Sequence, residues 1–298
     1  MIILVTGKNG QVGHELERRL HSIGAGQTQV VALDRSQMNL ADPAQVREVI
    51  RRINPSLIVN AAAYTMVDLA EQECDMAMRI NAEAVDVIAQ EARRCGAVLI
   101  HYSTDHVFDG TKNSPYVETD PTCPINAYGR SKLAGEAAIQ SSGVLHLILR
   151  TSWVYGAHGR NFMKTIQRLA SQSNEIAVVD DQFGAPTWSR TVAQQTADAI
   201  SQLCCSSHKI NMDTWKKFSG VYHLTAQGYT SWHGLASAIV ERGSRAKLVR
   251  VKPIASENYP TVARRPRNSR LSCERFMGNF GILPAWDTAL ATCMDEAE

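Results

Sequence analysis

Tyr128 and Lys132 stand four residues apart in Tyr128-Gly129-Arg130-Ser131-Lys132, a spacing that on a helix puts a phenol and an ammonium on one face. A phenol with the usual pKa of about 10 is a reluctant acid and base near neutrality, and a neighbouring cation moves it toward working range by stabilising the phenolate. On an ordinary helix surface the same pair would simply be solvated, so its meaning depends on what else the chain brings beside it. His101-Tyr102-Ser103-Thr104-Asp105 follows the apolar run Val98-Leu99-Ile100, at the strand end where open α/β sheets bind ligands. Ser103 and Thr104 are both candidates for a hydroxyl that hydrogen-bonds the carbonyl protonated by Tyr128. Hydroxyl, phenol, ammonium and nicotinamide together would define hydride transfer to or from a carbonyl.

A nicotinamide needs a cradle for its diphosphate. Gly7-Lys8-Asn9-Gly10-Gln11-Val12-Gly13 joins an apolar run to a helical pattern. Glycines at such a junction allow a tight turn, close approach of a pyrophosphate and close helix packing, with the unpaired N–H groups of the helix facing the phosphates. The spacing is G-x-x-G-x-x-G, not the G-x-G-x-x-G of ordinary dinucleotide dehydrogenases. Asp34 ends the second apolar run, where a carboxylate reaches the ribose hydroxyls and favours NAD; Arg35 beside it could pair with a 2′-phosphate and favours NADP. The expectation is NADPH, with NADH also open. Asn60-Ala61-Ala62-Ala63-Tyr64-Thr65 follows the third apolar run, and its small residues would let backbone lie against the coenzyme.

The elements that must hold these groups can be read from periodicity. Ile2-Ile3-Leu4-Val5, Val30-Val31-Ala32-Leu33, Leu57-Ile58-Val59, Val98-Leu99-Ile100 and 145–150 read as buried strands. Helices are expected from Val12, Leu16, Leu20 and Ile23 (broken at Gly24 and Gly26), after Asp42-Pro43, over about 75–94 and over about 126–140. Strands alternating with amphipathic helices predict an α/β fold: a Rossmann-type doubly wound parallel sheet, with a smaller C-terminal mixed α/β substrate lobe. The expected division is 1–152 for NAD(P) binding, with part of 175–220 returning to it, and 153–298 mainly for the substrate. The segment 201–220, with Cys204-Cys205-Ser206-Ser207, reads as a variable surface excursion.

With 298 residues, 44% hydrophobic and 20% charged, the chain is neither disordered, collagenous nor a small disulfide-stapled protein. A net charge of +2 gives no general attraction for nucleic acid or an anionic membrane, so any anion must be bound locally. The seven cysteines lack disulfide or zinc spacing and read as reduced thiols. The first apolar run is too short for a signal peptide or membrane span, and a cytoplasmic location is expected.

On these motifs the chain resembles the extended short-chain dehydrogenase/reductases, and within them the dTDP-4-dehydrorhamnose reductase family. Further blocks carry the resemblance over nearly the whole length: Thr104-Asp105-His106-Val107-Phe108-Asp109-Gly110, Arg150-Thr151-Ser152-Trp153-Val154-Tyr155-Gly156, Asp181-Gln182-Phe183-Gly184-Ala185-Pro186-Thr187 and Ala263-Arg264-Arg265-Pro266-Arg267-Asn268-Ser269-Arg270-Leu271. The last two are the most particular to that family. The resemblance implies reduction of the C4 ketone of dTDP-4-dehydro-β-L-rhamnose to dTDP-L-rhamnose, an activated sugar for surface polysaccharide. It gives Thr104 the hydroxyl role, Tyr128 that of general acid, and Lys132 that of tuning Tyr128 and binding the nicotinamide ribose. Gly10, Gln11, Val12, Asp34, Asn39, Leu40, Ala63, Tyr64 and Thr65 match coenzyme-contacting stretches, and Asp105 and Trp153 match sugar-nucleotide contacts. An indole can cover an apolar sugar face while its N–H donates a hydrogen bond. Arg264, Arg265 and Arg270 could clamp the diphosphate, and Phe183 could seat the nucleotide.

Two positions depart from the family pattern. His106 replaces the tyrosine usual after Thr-Asp, and adds a group that titrates near neutrality. Some members dimerise through magnesium held by acidic side chains; Glu15 fits that pattern, but Arg190 occupies the second position, so no metal site is expected and a homodimer of another kind stays open. The nearest alternatives are another sugar-nucleotide reductase or epimerase on the same scaffold, or a non-catalytic NADP-binding regulatory subunit. A dehydratase would carry Asp-Glu after the Thr, whereas the second position here is His106. A regulatory subunit need not keep Thr104, Tyr128 and Lys132 together.

Overall fold

The computed structural model describes residues 1–22, 28–205, 209–243 and 248–296. Its main sheet lines up six parallel strands in the order Gln29–Leu33 (β2), Ile2–Thr6 (β1), Leu57–Asn60 (β3), Val98–Thr104 (β4), His146–Thr151 (β5) and Gly220–His223 (β10). The chain steps from β1 to β2 on one side, then crosses back to place β3 on the other. The reversal therefore falls between β1 and β3, as in doubly wound sheets ordered 2-1-3-4-5, and such a reversal opens a crevice at the carboxyl ends of the strands.

Helices cover both faces, as parallel crossovers require. Gln11–Leu20 (α1) and Ser189–Leu203 (α7) lie on one face, where Leu16, Leu20, Val192 and Ile200 pack against Ile3, Val5, Val98 and Ile100. Pro43–Ile53 (α2), Ala84–Cys95 (α4) and Ala127–Ser142 (α5) supply the other face, with Val46, Ile50, Ile88, Ala92 and Ile139 against Leu4, Ile58, Leu99 and Ile148. Asp42 starts α2 by accepting from the N–H groups of Ala44 and Gln45, and Asn54 ends it in the left-handed region (φ 48°).

The remaining elements build a second core: strands Val154–Tyr155 (β6), Glu175–Val179 (β7), Phe183–Gly184 (β8), Thr187–Trp188 (β9), Thr230–Ser231 (β11) and Arg250–Ile254 (β12), and helices Phe162–Gln172 (α6), Trp232–Arg242 (α9) and Trp286–Asp295 (α11). Tyr155, Met163, Ile166, Ile176, Trp188, Leu235, Ile239 and Leu290 are buried together there.

Two expectations need correction. The segment 201–220 is not simply a surface excursion: Met212–Phe218 (α8) drives Trp215 fully into the core beside α7, and Gly220 opens β10 at the sheet edge. Glu274–Phe280 (α10) adds Phe276 and Phe280 to that same core. The long helix over 75–94 is interrupted: Cys74–Met78 (α3) and α4 are joined by a π-helical turn at Arg79–Glu83, which makes room for buried Asn81. Ile23, Gly24 and Gly26, with Ser206 and Ser207, lie outside the described residues. Among the described residues no helix is long and apolar enough to cross a membrane.

Candidate active site

Side chains alternate along β4. Val98, Ile100 and Tyr102 join the core under α1 and α7, so His101 and Ser103 turn the other way, toward α5. Ser103 donates to Glu136 at 2.5 Å, and Glu136 is gripped by Arg150 through Nε (2.9 Å) and Nη2 (2.7 Å). Ser103 thereby belongs to a buried ion pair. Thr104, the last residue of the strand, is the hydroxyl that meets Tyr128 instead.

Thr104 accepts from the N–H of His106 at 3.1 Å and donates to Asp105 Oδ1 at 2.9 Å. Asp105 is buried, and its Oδ2 has no hydrogen-bond partner among the described residues. Tyr128 reaches the same point from the first turn of α5. Asn126 caps that helix by accepting from Gly129 N at 2.7 Å; its Nδ2 donates to Arg264 O at 2.9 Å and lies 2.8 Å from His106 Nδ1. Gly129 lets α5 press onto the 105–107 turn, because an added Cβ would sit 2.2 Å from His106 O. The half-buried Tyr128 ring meets His106 edge-on at 5.5 Å.

The electrostatics differ from the expected lowering of the Tyr128 phenol. Burial pushes it up, contact with the Thr104 hydroxyl opposes that, and the Asp105 charge adds to the rise. Lys132 is not among its causes. The lysine is buried, donating to Tyr102 O at 2.6 Å and lying 3.1 Å from His101 Nε2. Burial brings its pKa down to about 8, opposed by Glu136. A protonated phenol is nevertheless the form that an acid needs. Burial also lowers His106, with Asp105 opposing.

The glycine turn lies at the end of β1. Gly7 has φ +75° and backs onto Ala62, 2.9 Å from where its Cβ would be; a Cβ on Gly13 would stand 2.1 Å from Gly7 O. Gly10, whose N–H donates to Gly7 O at 2.9 Å, caps α1 without a side chain, so no side chain competes for the first-turn N–H groups. Val12 packs on the core, and Gln11 accepts from Asn161 Nδ2 at 3.0 Å. Asp34 accepts from the N–H (2.9 Å) and hydroxyl (2.6 Å) of Ser36 and lies 3.6 Å from Lys8 Nζ. The Ser36 hydroxyl and Lys8 hold its carboxyl below the usual range against some burial, while Arg35 is exposed. Asn39 receives Ala41 N–H at 3.2 Å, and Leu40 is buried in the core.

Past β3, Ala63 is half-buried and Thr65 exposed. Asn81 clamps the backbone between them, accepting from Tyr64 N at 2.8 Å and donating to Tyr64 O at 3.0 Å and Ser131 Oγ at 3.0 Å. The Tyr64 hydroxyl turns away to donate to Glu73 at 2.7 Å, and burial with that carboxylate pushes the phenol up to about 12. The donor-rich helix terminus, Asp34 and the small-residue edge thus follow the carboxyl ends of the adjacent strands β1, β2 and β3.

On the other wall, Trp153 holds an unusual φ of 47° and stacks on Trp232 at 3.6 Å and 9°. Gly184 is needed beside it, since a Cβ there would be 2.5 Å from the indole. Arg265 pairs with Asp68 at 2.5 Å, and Arg264 is exposed. Arg270 is anchored to Asn268 Oδ1 (2.7 Å) and Asn113 O (2.6 Å) and lies over Tyr229, so it is already engaged. Phe183 is 40% exposed, enough for its ring to be available to a ligand. Glu15 and Arg190 form a salt bridge at 3.3 Å.

Several supporting residues escape a reading by motif. Asn81 and Glu136 sit inside helices, where their spacing carries no motif signal. His101 lay within a quoted motif, yet nothing in that motif indicated its contact with Lys132.

The fold and the clustered motifs are those of the extended short-chain dehydrogenase/reductases. Within that class the chain belongs to the dTDP-4-dehydrorhamnose reductase family: the family model described as RmlD substrate binding domain matches residues 1–298. A dTDP-4-dehydrorhamnose reductase of Burkholderia thailandensis is 48% identical over 99% of this chain and 98% of its own length. Among solved structures, a dTDP-4-dehydrorhamnose reductase of Clostridium acetobutylicum matches with TM-score 0.88 at 32% identity, and one of Bacillus anthracis in complex with NADP with TM-score 0.86 at 33%; each pair overlaps over 99% of both chains.

Proposed function

We propose that the protein reduces the C4 ketone of dTDP-4-dehydro-β-L-rhamnose to dTDP-L-rhamnose, using NADPH, with NADH open as a second coenzyme. The observation that carries this is the meeting of the Thr104 and Tyr128 hydroxyls beside the unpartnered oxygen of buried Asp105, in a chain 48% identical to a dTDP-4-dehydrorhamnose reductase. When bound, the reduced nicotinamide supplies the hydride that the ketone carbon accepts. Thr104 orients the ketone oxygen, and Tyr128 gives that oxygen its phenolic proton, leaving an alcohol. Burial serves this step by keeping the phenol protonated until the substrate draws the proton away. Lys132, held by Tyr102 O and His101 away from the phenol, would take the nicotinamide ribose.

The glycine turn of residues 7–13, with Asp34, Asn39, Leu40 and the Ala63-Tyr64-Thr65 backbone, fits the coenzyme. Lys8 and Arg35 offset the Asp34 charge and favour a 2′-phosphate. Asp105 offers its free oxygen to a sugar hydroxyl. Trp153 presents an indole edge to the sugar, one face being covered by Trp232, and Arg265 faces the diphosphate once it releases Asp68. The engaged Glu15–Arg190 pair argues against a magnesium bridge at that position, and a homodimer of another kind stays open. A cytoplasmic location suits such a biosynthetic step.

Incubation with dTDP-4-dehydro-sugar and each reduced coenzyme, followed by absorbance, tests the proposal: dTDP-L-rhamnose should appear with NADPH consumption. Coenzyme binding without turnover of that ketone would favour a regulatory subunit, and purification with stoichiometric tightly held NAD would favour an epimerase.

A further inference from the structure

A chain of buried polar contacts runs beneath the cleft, across three strands, and ends on Lys132. Ala62 N–H donates to Thr6 Oγ1 at 3.3 Å, and Thr6 donates to Asn60 Oδ1 at 2.6 Å. Asn60 Nδ2 lies 3.0 Å from His101 Nδ1, and His101 Nε2 lies 3.1 Å from Lys132 Nζ. His101 is fully buried and Asn60 nearly so. Gly7 packs on Ala62 at the other end, so the chain links the coenzyme turn to the amine.

Hydrogen-bond direction constrains the proton count. Burial, then the charges of Lys132 and His146, holds His101 far below the ordinary imidazole range, so the ring is neutral and carries one N–H. With Asn60 donating to Nδ1, that proton is on Nε2 and points at Lys132, which must accept it as an uncharged amine. With the Asn60 amide turned over, Nδ1 carries the proton, Nε2 accepts from a Lys132 ammonium, and the Thr6 hydroxyl proton loses its acceptor. Each state is consistent along the chain only as a whole. The charged groups facing the pair are Glu136 on α5, itself bound by Arg150 of β5, and His146 of β5.

We propose that His101 is a positioning residue which fixes the Lys132 amine and, through its tautomer and the Asn60 amide, sets whether that lysine rests as amine or ammonium. The inference rests on the reductase reading for its kinetic consequence but not for its spectroscopic one. His101→Gln keeps a polar group at the Nε2 position facing Lys132, whereas His101→Asn keeps one facing Asn60 and loses Lys132. In the full-length protein with ¹⁵N-labelled histidine, the His101 tautomer should change from Nε2–H to Nδ1–H as pH falls through the lysine's value of about 8. In steady-state assays His101→Asn should lose about tenfold in kcat and displace the alkaline limb of the kcat–pH profile, and His101→Gln should restore most of both. A single tautomer across that titration overturns the proposal, as do two variants that melt earlier yet keep the wild-type pH profile. If the wild-type protein turns over no sugar-nucleotide ketone, the reductase reading fails while the tautomer measurement still decides this inference.

Discussion

Lys132 illustrates how one residue can serve the chemistry against the fold. The residue is 2% exposed, and the fall of its pKa from 10.5 to about 8 corresponds to on the order of 3 kcal/mol spent on burying charge at neutral pH. Replacing it with an apolar chain of similar length should relieve that cost. Lys132→Met is therefore expected to unfold at higher urea concentration than wild type while losing most turnover; a variant that is less stable would show that the Tyr102 carbonyl and His101 contacts outweigh the desolvation. Tyr128→Phe removes the proton donor and leaves the ring against His106 in place. Its kcat should fall on the order of 10²- to 10⁴-fold with coenzyme affinity largely retained in a titration of NADPH fluorescence, and turnover close to wild type would remove Tyr128 from the reaction.

At the scale of elements, two close approaches position the cleft. A methyl on Gly13 would meet Gly7 O at 2.1 Å, so Gly13→Ala should open the turn and abolish measurable NADPH binding by calorimetry. Asn81 holds both backbone groups of Tyr64 and the Ser131 hydroxyl from the π-helical turn. Asn81→Ala leaves the Tyr64 N–H and C=O without that partner, while the Ser131 hydroxyl keeps its bond to Tyr128 O at 2.8 Å; the expected loss is about 1–3 kcal/mol per unsatisfied group, read as a lowered melting temperature together with weaker coenzyme binding. These two elements also show how far a sequence can be read. The Gly7 to Gly13 turn was legible because a backbone conformation with no space for Cβ leaves glycine as its trace, and β1, β3 and the first halves of β4 and β5 were legible because strand segments buried on both faces carry apolar runs. The π-helical turn was not, since its extra residue leaves the apolar periodicity of 75–94 nearly intact. Nor was β10, where Gly220-Val221-Tyr222-His223 is too short and mixed to announce a sheet edge. For the site, residue types suggested that Tyr128 and Thr104 act together, but the direction of the phenol's pKa depends on burial, which spacing does not reveal.

Over the whole molecule, buried imidazoles set the response to acid. His101, His106 and His223 are all held below the ordinary value of 6.5, foremost by burial, His223 to about 3. Unfolding returns each to water, where it binds a proton below about pH 6.5. The unfolded chain then carries more protons than the folded one, so this stability is complete above that pH and is lost as pH falls toward the folded values. The melting temperature should hold steady from about pH 7 to 8 and decline from about pH 6.5 to 5; a flat profile through the acid range would mean that these rings gain protons in the folded state without strain. The Trp153–Trp232 stack belongs to this scale too, because it joins the strand-end segment leaving β5 to the first residue of α9. Two indoles that near and that parallel behave as coupled oscillators, giving a paired band in far-ultraviolet circular dichroism whose amplitude depends steeply on their separation and angle. The protein thus carries its own optical gauge of the packing of its second core, where both indoles sit, readable without any added dye while coenzyme and sugar nucleotide bind in turn.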